Sequence, residues 1–318
     1  MTSRAVSVAD LVERAQAGEA RAVARLISLV EDQAPELREV SAALTPHTGR
    51  AHIVGLTGAP GVGKSTSTSA LVTALRTQGR RVGVLAVDPT SPFSGGALLG
   101  DRIRMQDHAT DEGVYIRSMA SRGHLGGLSV AAPQALRVLD AAGCDVVLVE
   151  TVGVGQSEVE ISGLADTTLV LLAPGMGDGI QAAKAGILEI GDIFVVNKAD
   201  REGAASTRRE LRSVVAMSDR ADDAWKPPVL MAVATTGEGV DEVAEQIALH
   251  HVHLTDTGEL GRRRLARTRR EIEALALNAV RLRFGDLSGD ARLDTLAADV
   301  LRGATDPYAA ADTLIENL

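Results

Sequence analysis

Apolar and polar positions follow two alternating periodicities along most of this chain. Short apolar runs rich in Val, Ile and Leu recur between longer segments in which apolar residues are three or four positions apart. The runs predict strands that are buried on both faces, and they begin near residues 51, 81, 145, 192 and 228. The longer segments predict helices. Over residues 50–253 this alternation predicts an α/β fold, a doubly wound and mostly parallel sheet with helices on both faces.

Two helical regions flank the predicted sheet. Residues 1–49 predict short amphipathic helices, with a capping-box pattern at Ser7 and Asp10 and a break at Gly18. Residues 254–318 contain no strand pattern, and apolar residues recur at helical spacing from Ile272 to Val280. An all-helical segment of this length has little core of its own and needs another surface to bury its apolar face. The three regions therefore predict an N-terminal helical extension, a sheet domain and a C-terminal helical arm.

A complete phosphate-binding motif follows the first apolar run. Residues 58–65 match G-x-x-x-x-G-K-[ST], and they lie between a predicted strand and a predicted helix. Backbone N–H groups of such a loop surround phosphate oxygens, the lysine reaches the β- and γ-phosphates, and the serine hydroxyl binds Mg²⁺. The predicted nucleotide contacts of the loop are Gly58, Ala59, Pro60, Gly61, Val62, Gly63, Lys64, Ser65 and Thr66.

Two further strand ends favour guanine over adenine. One run ends in Asn197, Lys198, Ala199 and Asp200. A carboxylate at Asp200 can accept hydrogen bonds from the N1–H and N2–H₂ groups of guanine, whereas adenine has no matching pair of donors. The next run leads into Val233, Ala234 and Thr235, whose backbone we expect near the guanine oxygen. We therefore predict GTP and GDP as the ligands.

Acidic residues end two other strands. Asp88 and Glu150 each follow an apolar run, and parallel strands place their carboxyl ends at one crevice. With Ser65 they predict an Mg²⁺ site, in which Glu150 also supports hydrolysis. Gly153 follows Glu150 as in the D-x-x-G motif, and its N–H group is predicted to contact the γ-phosphate. No glutamine follows Gly153 directly, so intrinsic hydrolysis is expected to be slow.

Composition limits the remaining possibilities. The formal net charge of −9 argues against general nucleic-acid binding. The single cysteine, Cys144, excludes an internal disulfide and is interpreted as a small core residue. The N-terminal residues show no signal-peptide pattern and no apolar run is long enough to span a membrane, so a cytoplasmic location without membrane contact is predicted. We interpret an arginine cluster at 262–270 as a solvated face, and a histidine cluster at 250–253 has no assigned role.

Four segments of the chain resemble the MeaB/ArgK family of P-loop GTPases, which includes the human methylmalonic aciduria type A protein. They are residues 86–92, 95–101, 150–158 and 174–178. The resemblance implies a GTP-hydrolysing chaperone that loads and protects adenosylcobalamin in methylmalonyl-CoA mutase or a related acyl-CoA mutase. It also implies a homodimer formed through the C-terminal arm. Asp101 would belong to switch I and act as a metal and catalytic residue beside Lys64, while Asp178 and Lys184 would face the mutase.

Two alternatives remain open at this point. One is an amino-acid-transport-linked ATPase or kinase, although the chain shows no kinase-type Asp-Asn pair. The other is a nickel or cobalt metallochaperone GTPase, which the lack of a cysteine-rich or long histidine segment disfavours.

Overall fold

The computed structural model describes residues 7–89, 108, 110–121, 131–151, 157–175, 187–217, 224–284 and 291–316. Within them, three helices precede the first strand: α1 (Val8–Gln16), α2 (Ala20–Glu31) and α3 (Leu37–Leu44). The Ser7 hydroxyl oxygen accepts a hydrogen bond from the Asp10 N–H at 3.2 Å, which confirms the predicted helix start. Gly18 separates α1 from α2 with a φ of 89°, as the sequence predicts.

The described strands form one parallel sheet. Their order across the sheet is β3-β2-β4-β1-β5-β6-β7, and each neighbouring pair is parallel. This confirms the predicted doubly wound α/β fold. The strands are β1 (His52–Thr57), β2 (Val82–Pro89), β3 (Val114–Ser121), β4 (Val146–Thr151), β5 (Thr167–Leu172), β6 (Ile193–Asn197) and β7 (Val229–Ala232).

Helices cover both faces of the sheet. They are α4 (Lys64–Thr77), α5 (Ala131–Ala141), α6 (Ser157–Leu164), α7 (Ile187–Ile190), α8 (Ala204–Ala216) and α9 (Val240–Asp256). Because strand side chains alternate between faces, Val146 and Leu148 pack with α4 and α9, whereas Val147 and Val149 pack with α5. Helices α1 to α3 share that second core. Full burial of a side chain such as Leu148 stabilises the fold by about 1.5–3 kcal/mol.

The chain continues beyond the sheet as helices α10 (Glu259–Phe284), α11 (Ala291–Leu301) and α12 (Pro307–Glu316). Its compact units divide after Arg267, so the first turns of α10 belong to the sheet domain. The sequence pattern predicts the boundary at residue 253. Among the described residues no helix is long and apolar enough to cross a membrane.

Candidate functional site

The phosphate loop connects β1 with α4 at the carboxyl end of the sheet. Gly58 and Gly63 have φ values of 143° and 97°, which side chains other than glycine rarely adopt. A Cβ atom at Gly58 would lie 2.3 Å from the Leu171 carbonyl oxygen, and one at Gly63 would lie 2.5 Å from Asn197 Nδ2. Both positions therefore require glycine, and the loop backbone approaches the neighbouring strands closely.

Lys64 is the first residue of α4 and folds back over this loop. Its Nζ atom donates to the carbonyl oxygens of Gly58 at 2.6 Å and Ala59 at 3.3 Å. A helix start of this kind presents N–H groups and a positive dipole end to anions. The Lys64 ammonium group and the backbone of the phosphate loop are thus in direct contact within one short segment of the chain.

Asn197 joins the phosphate loop to the loop that follows β7. Its Nδ2 atom donates to the Val62 carbonyl oxygen at 2.8 Å, and its Oδ1 atom accepts from the Ala234 N–H at 3.1 Å. Lys198 adds a second connection, since its Nζ atom donates to the Gly61 carbonyl oxygen at 2.6 Å. The sequence predicts nucleotide contacts for both residues, and the structure adds a role in holding two loops together.

The residues predicted to recognise guanine lie beside this connection. Asp200 is exposed and lies three residues after the end of β6. The Ala199 N–H donates to the Ala232 carbonyl oxygen at 3.1 Å, which brings the segment containing Asp200 next to the end of β7. Val233 is buried, while Thr235 is exposed. The arrangement places a carboxylate beside the backbone that follows β7, as the predicted guanine site requires.

Glu150 is the penultimate residue of β4 and is 2% exposed. It pairs in register with Leu56 of β1, two residues before Gly58, and with Ala86 of β2, two residues before Asp88. A carboxylate here and the Ser65 hydroxyl at the start of α4 are oxygen donors, which Mg²⁺ prefers, so these residues fit the ion. The side chain of Asp88 lies outside the described residues, as do Asp101, Gly153, Asp178 and Lys184.

At the opposite, amino end of the sheet, three members of the arginine cluster bind carboxylates, so the interpretation of the cluster as a solvated face is wrong for these three. Arg264 donates to Asp166 at 2.8 Å, and Arg267 donates to the same carboxylate at 3.1 Å. Arg263 donates to both carboxylate oxygens of Asp192 at 2.9 Å. Burial alone would raise the pKa of Asp166, but the bound arginines lower it below its usual value. The sequence contains one indication of these carboxylate partners, because Asp166 and Asp192 each directly precede a strand and therefore lie at the amino end of the sheet.

The histidine cluster belongs to the same amino-end network. Thr167 Oγ1 lies 2.7 Å from His52 Nε2 and 2.8 Å from His250 Nδ1. The rings of His52 and His251 stack with centroids 4.2 Å apart. Burial lowers the pKa of His52 to about 3 and that of His250 to about 4, so both rings are neutral at pH 7. Their role in the described contacts is to pack α9 against the sheet.

A cavity of about 680 Å³ opens at this amino end as well. Arg50 and Arg80 line it together with Asp140 and Asp145, so its charges balance. Cys144 is buried in its wall, and burial raises the pKa of the thiol to about 12, which confirms the core interpretation of this cysteine. The cavity lies at the end of the sheet away from the phosphate loop and is separate from the nucleotide site.

The fold and the carboxyl-end loops define the class of protein. A parallel sheet whose first strand leads through a glycine-dependent loop into a lysine-started helix is the core of a P-loop NTPase. The family model described as "Methylmalonyl Co-A mutase-associated GTPase MeaB" matches residues 23–286. The chain belongs to this family of GTPases.

Individual relatives agree with the family match. A Pyrococcus horikoshii protein is 49% identical over 312 residues, which are 97% of this chain and 98% of that protein. The mouse protein named methylmalonic aciduria type A homolog, mitochondrial, is 35% identical over 296 residues, 92% of this chain and 69% of its own. A solved structure of a LAO/AO transport system kinase superposes with a TM-score of 0.73 at 29% identity and covers 99% of both chains.

Proposed function

We propose that this GTPase binds GTP with Mg²⁺ and uses its hydrolysis to assist adenosylcobalamin loading and protection in methylmalonyl-CoA mutase or a related acyl-CoA mutase. The observation that supports the mutase most directly is the family match over residues 23–286, because that family is described by its association with this enzyme. The connected phosphate and base loops support a guanine nucleotide as the ligand.

The proposed chemistry assigns one task to each side chain. Water attacks the γ-phosphorus, the bond to the β–γ bridging oxygen breaks, GDP leaves with that electron pair, and the proton lost by the water passes to the released phosphate. Lys64 would stabilise the negative charge on the β- and γ-phosphates, and Ser65, Asp88 and Glu150 would hold Mg²⁺ beside them. Asp200 would select guanine by pairing with its two donors. Bound Mg²⁺ would supply further neutralisation of the phosphate charge.

The C-terminal unit supports the proposed homodimer. On α10 the side chains of Ile272 and Leu277 are 62% and 58% exposed, and Leu275 and Val280 are also exposed. Exposed apolar side chains along one helix are typical of an association surface. We therefore assign the dimer contact to residues after 267.

The central experiment combines the purified chain with methylmalonyl-CoA mutase from the same organism. GTP hydrolysis and the affinities for GTP and GDP are measured with and without the mutase across a concentration series. A mutase that binds one nucleotide state more tightly must change nucleotide affinity by the same factor. The Lys64→Ala protein serves as the matched control that should fold and yet lack tight GTP binding. If the mutase changes neither the rate nor the affinities, the chaperone proposal is wrong although the GTPase assignment stands.

The same assay tests the alternative of a transport-linked kinase, which the similarity to the LAO/AO transport system kinase structure suggests. A kinase would consume ATP in proportion to a phosphorylated acceptor, whereas the proposed activity requires GTP and releases free phosphate. Preference for ATP over GTP in the purified chain would favour the alternative.

The dimer is tested by removing residues 271–318 and measuring mass by light scattering. Truncation near residue 255 would be unsuitable, because it would also remove Arg263, Arg264 and Arg267 and leave two buried carboxylates unpaired. We expect the shortened protein to be a monomer. A dimer that persists contradicts the assignment of this contact.

A further inference from the structure

A buried hydrogen bond connects the helix after the phosphate loop with the proposed magnesium ligand. Thr68 Oγ1 donates to Glu150 Oε2 over 2.5 Å. Thr68 is fully buried and Glu150 nearly so. The Thr68 oxygen also lies 3.1 Å from the Lys64 carbonyl oxygen, but it carries one proton, and the shorter contact to the carboxylate takes it. Such a hydrogen bond to a carboxylate is among the stronger kinds that proteins make.

The register of the sheet explains why these two residues meet. Val146 and Leu148 pack in the core beneath α4, and alternation along β4 turns Glu150 towards the same helix. Thr68 lies one turn after Lys64 and three residues after Ser65, so all three share one side of α4. The hydroxyl therefore holds the carboxylate against the helix face that begins with Ser65.

We propose that Thr68 is a positioning residue, whose hydroxyl orients the Glu150 carboxylate towards the Mg²⁺ held through Ser65. The inference rests on the proposed GTPase site. Thr68 lies outside the G-x-x-x-x-G-K-[ST] motif, and no sequence pattern identifies it. Mg²⁺ requires near-ideal octahedral geometry, so a carboxylate fixed before the ion arrives binds it more tightly. Removal of such an outer partner commonly weakens metal affinity about 10- to 100-fold.

The test replaces Thr68 by valine, which removes the hydroxyl and keeps the shape of the side chain. The Mg²⁺ concentration that half-saturates the complex with a fluorescent GDP analogue is measured for each protein. We expect it to rise about tenfold in Thr68→Val. The affinity for the analogue in excess EDTA should stay unchanged, because the hydroxyl does not act on the phosphates directly. Thr68→Ser retains the hydroxyl and should restore the parental Mg²⁺ requirement.

Thr73→Val is the matched control on the same helix. The Thr73 hydroxyl donates to the Ser69 carbonyl oxygen at 3.2 Å, so this variant also loses a threonine hydroxyl and its hydrogen bond, but at an exposed position away from Glu150. It should keep the parental Mg²⁺ requirement. In a Glu150→Gln background, Thr68→Val should raise the Mg²⁺ requirement by a smaller factor than it does in the parent, since the two residues act as a pair. If thermal unfolding shows that Thr68→Val is poorly folded, Thr68→Ala provides the same measurement with a smaller side chain.

The outcomes separate this inference from the proposed function. A parent whose nucleotide binding does not depend on Mg²⁺ overturns both. A parent that depends on Mg²⁺, with an identical dependence in Thr68→Val and Thr68→Ala, overturns only the positioning role. An equal loss in Thr68→Val and Thr73→Val also overturns it, because the effect would then come from the helix rather than from Glu150.

Discussion

Replacement of Asn197 by alanine tests whether the connection between the two loops controls nucleotide affinity. Asn197 is 2% exposed and makes two neutral hydrogen bonds, one to the carbonyl oxygen of Val62 and one from the N–H of Ala234. Each such bond contributes about 0.5–1.5 kcal/mol, so Asn197→Ala should lose about 1–3 kcal/mol of the free energy that aligns the two loops for nucleotide binding. Since 1.4 kcal/mol corresponds to a factor of ten, affinity should fall about 5- to 150-fold.

The loss should be the same for GTP and GDP, because the connection aligns the phosphate loop with the base site and does not touch the γ-phosphate. Fluorescence titration with both nucleotides measures it, and thermal unfolding without nucleotide measures the accompanying loss of stability. Lys198→Met is the comparison: its hydrogen bond to the Gly61 carbonyl oxygen is exposed to water, so its effect should be smaller. Unchanged affinity in Asn197→Ala, or a loss confined to GTP, would refute this reasoning.

Three further predictions concern the base site and the amino-end network. Asp200→Asn should shift the binding preference from GTP towards xanthosine triphosphate by about 1–3 kcal/mol, because the new amide can donate to the 2-oxo group of xanthine. Competitive titration with the two nucleotides measures this preference. An unchanged preference would remove Asp200 from base recognition. Asp166→Asn should lower the free energy of unfolding by about 3–5 kcal/mol because two arginines lose their buried carboxylate, whereas Asp10→Asn, in an exposed ion pair, should change thermal unfolding little. The pKa values of His52 and His250, about 3 and about 4, lie below the unfolded value of about 6.5, so the unfolded state binds more protons and stability falls as pH drops from 6.5 towards 4. Urea unfolding should show a loss of stability that begins near pH 6.5 and approaches about 1.4 kcal/mol per pH unit per histidine between pH 6 and pH 5, and a His250→Gln protein with the full slope would contradict this origin.

Local patterns determined much of the architecture. The apolar runs predicted five of the seven described strands, all but β3 and β5, because a parallel strand is buried on both faces and therefore forms a continuous apolar segment. The phosphate loop was predictable because its function depends on adjacent residues, with Gly58 and Gly63 required by their own backbone angles. The helix start at Ser7 was equally local, since the cap and the N–H that it satisfies are three residues apart.

The contacts that connect these units were decided by the tertiary structure. The proposed position of Glu150 depends on Thr68, 82 residues away in sequence, and on a strand register that no local pattern contains. Arg264 lies 98 residues from Asp166 in the sequence. The pattern of a charged run is the same whether its arginines face water or bind a buried carboxylate. The sequence by itself thus determined the elements and the phosphate loop, because backbone propensity, burial and glycine requirements act over a few residues. The tertiary structure alone decided which polar groups from distant parts of the chain are paired, because that pairing depends on which segments the sheet brings together.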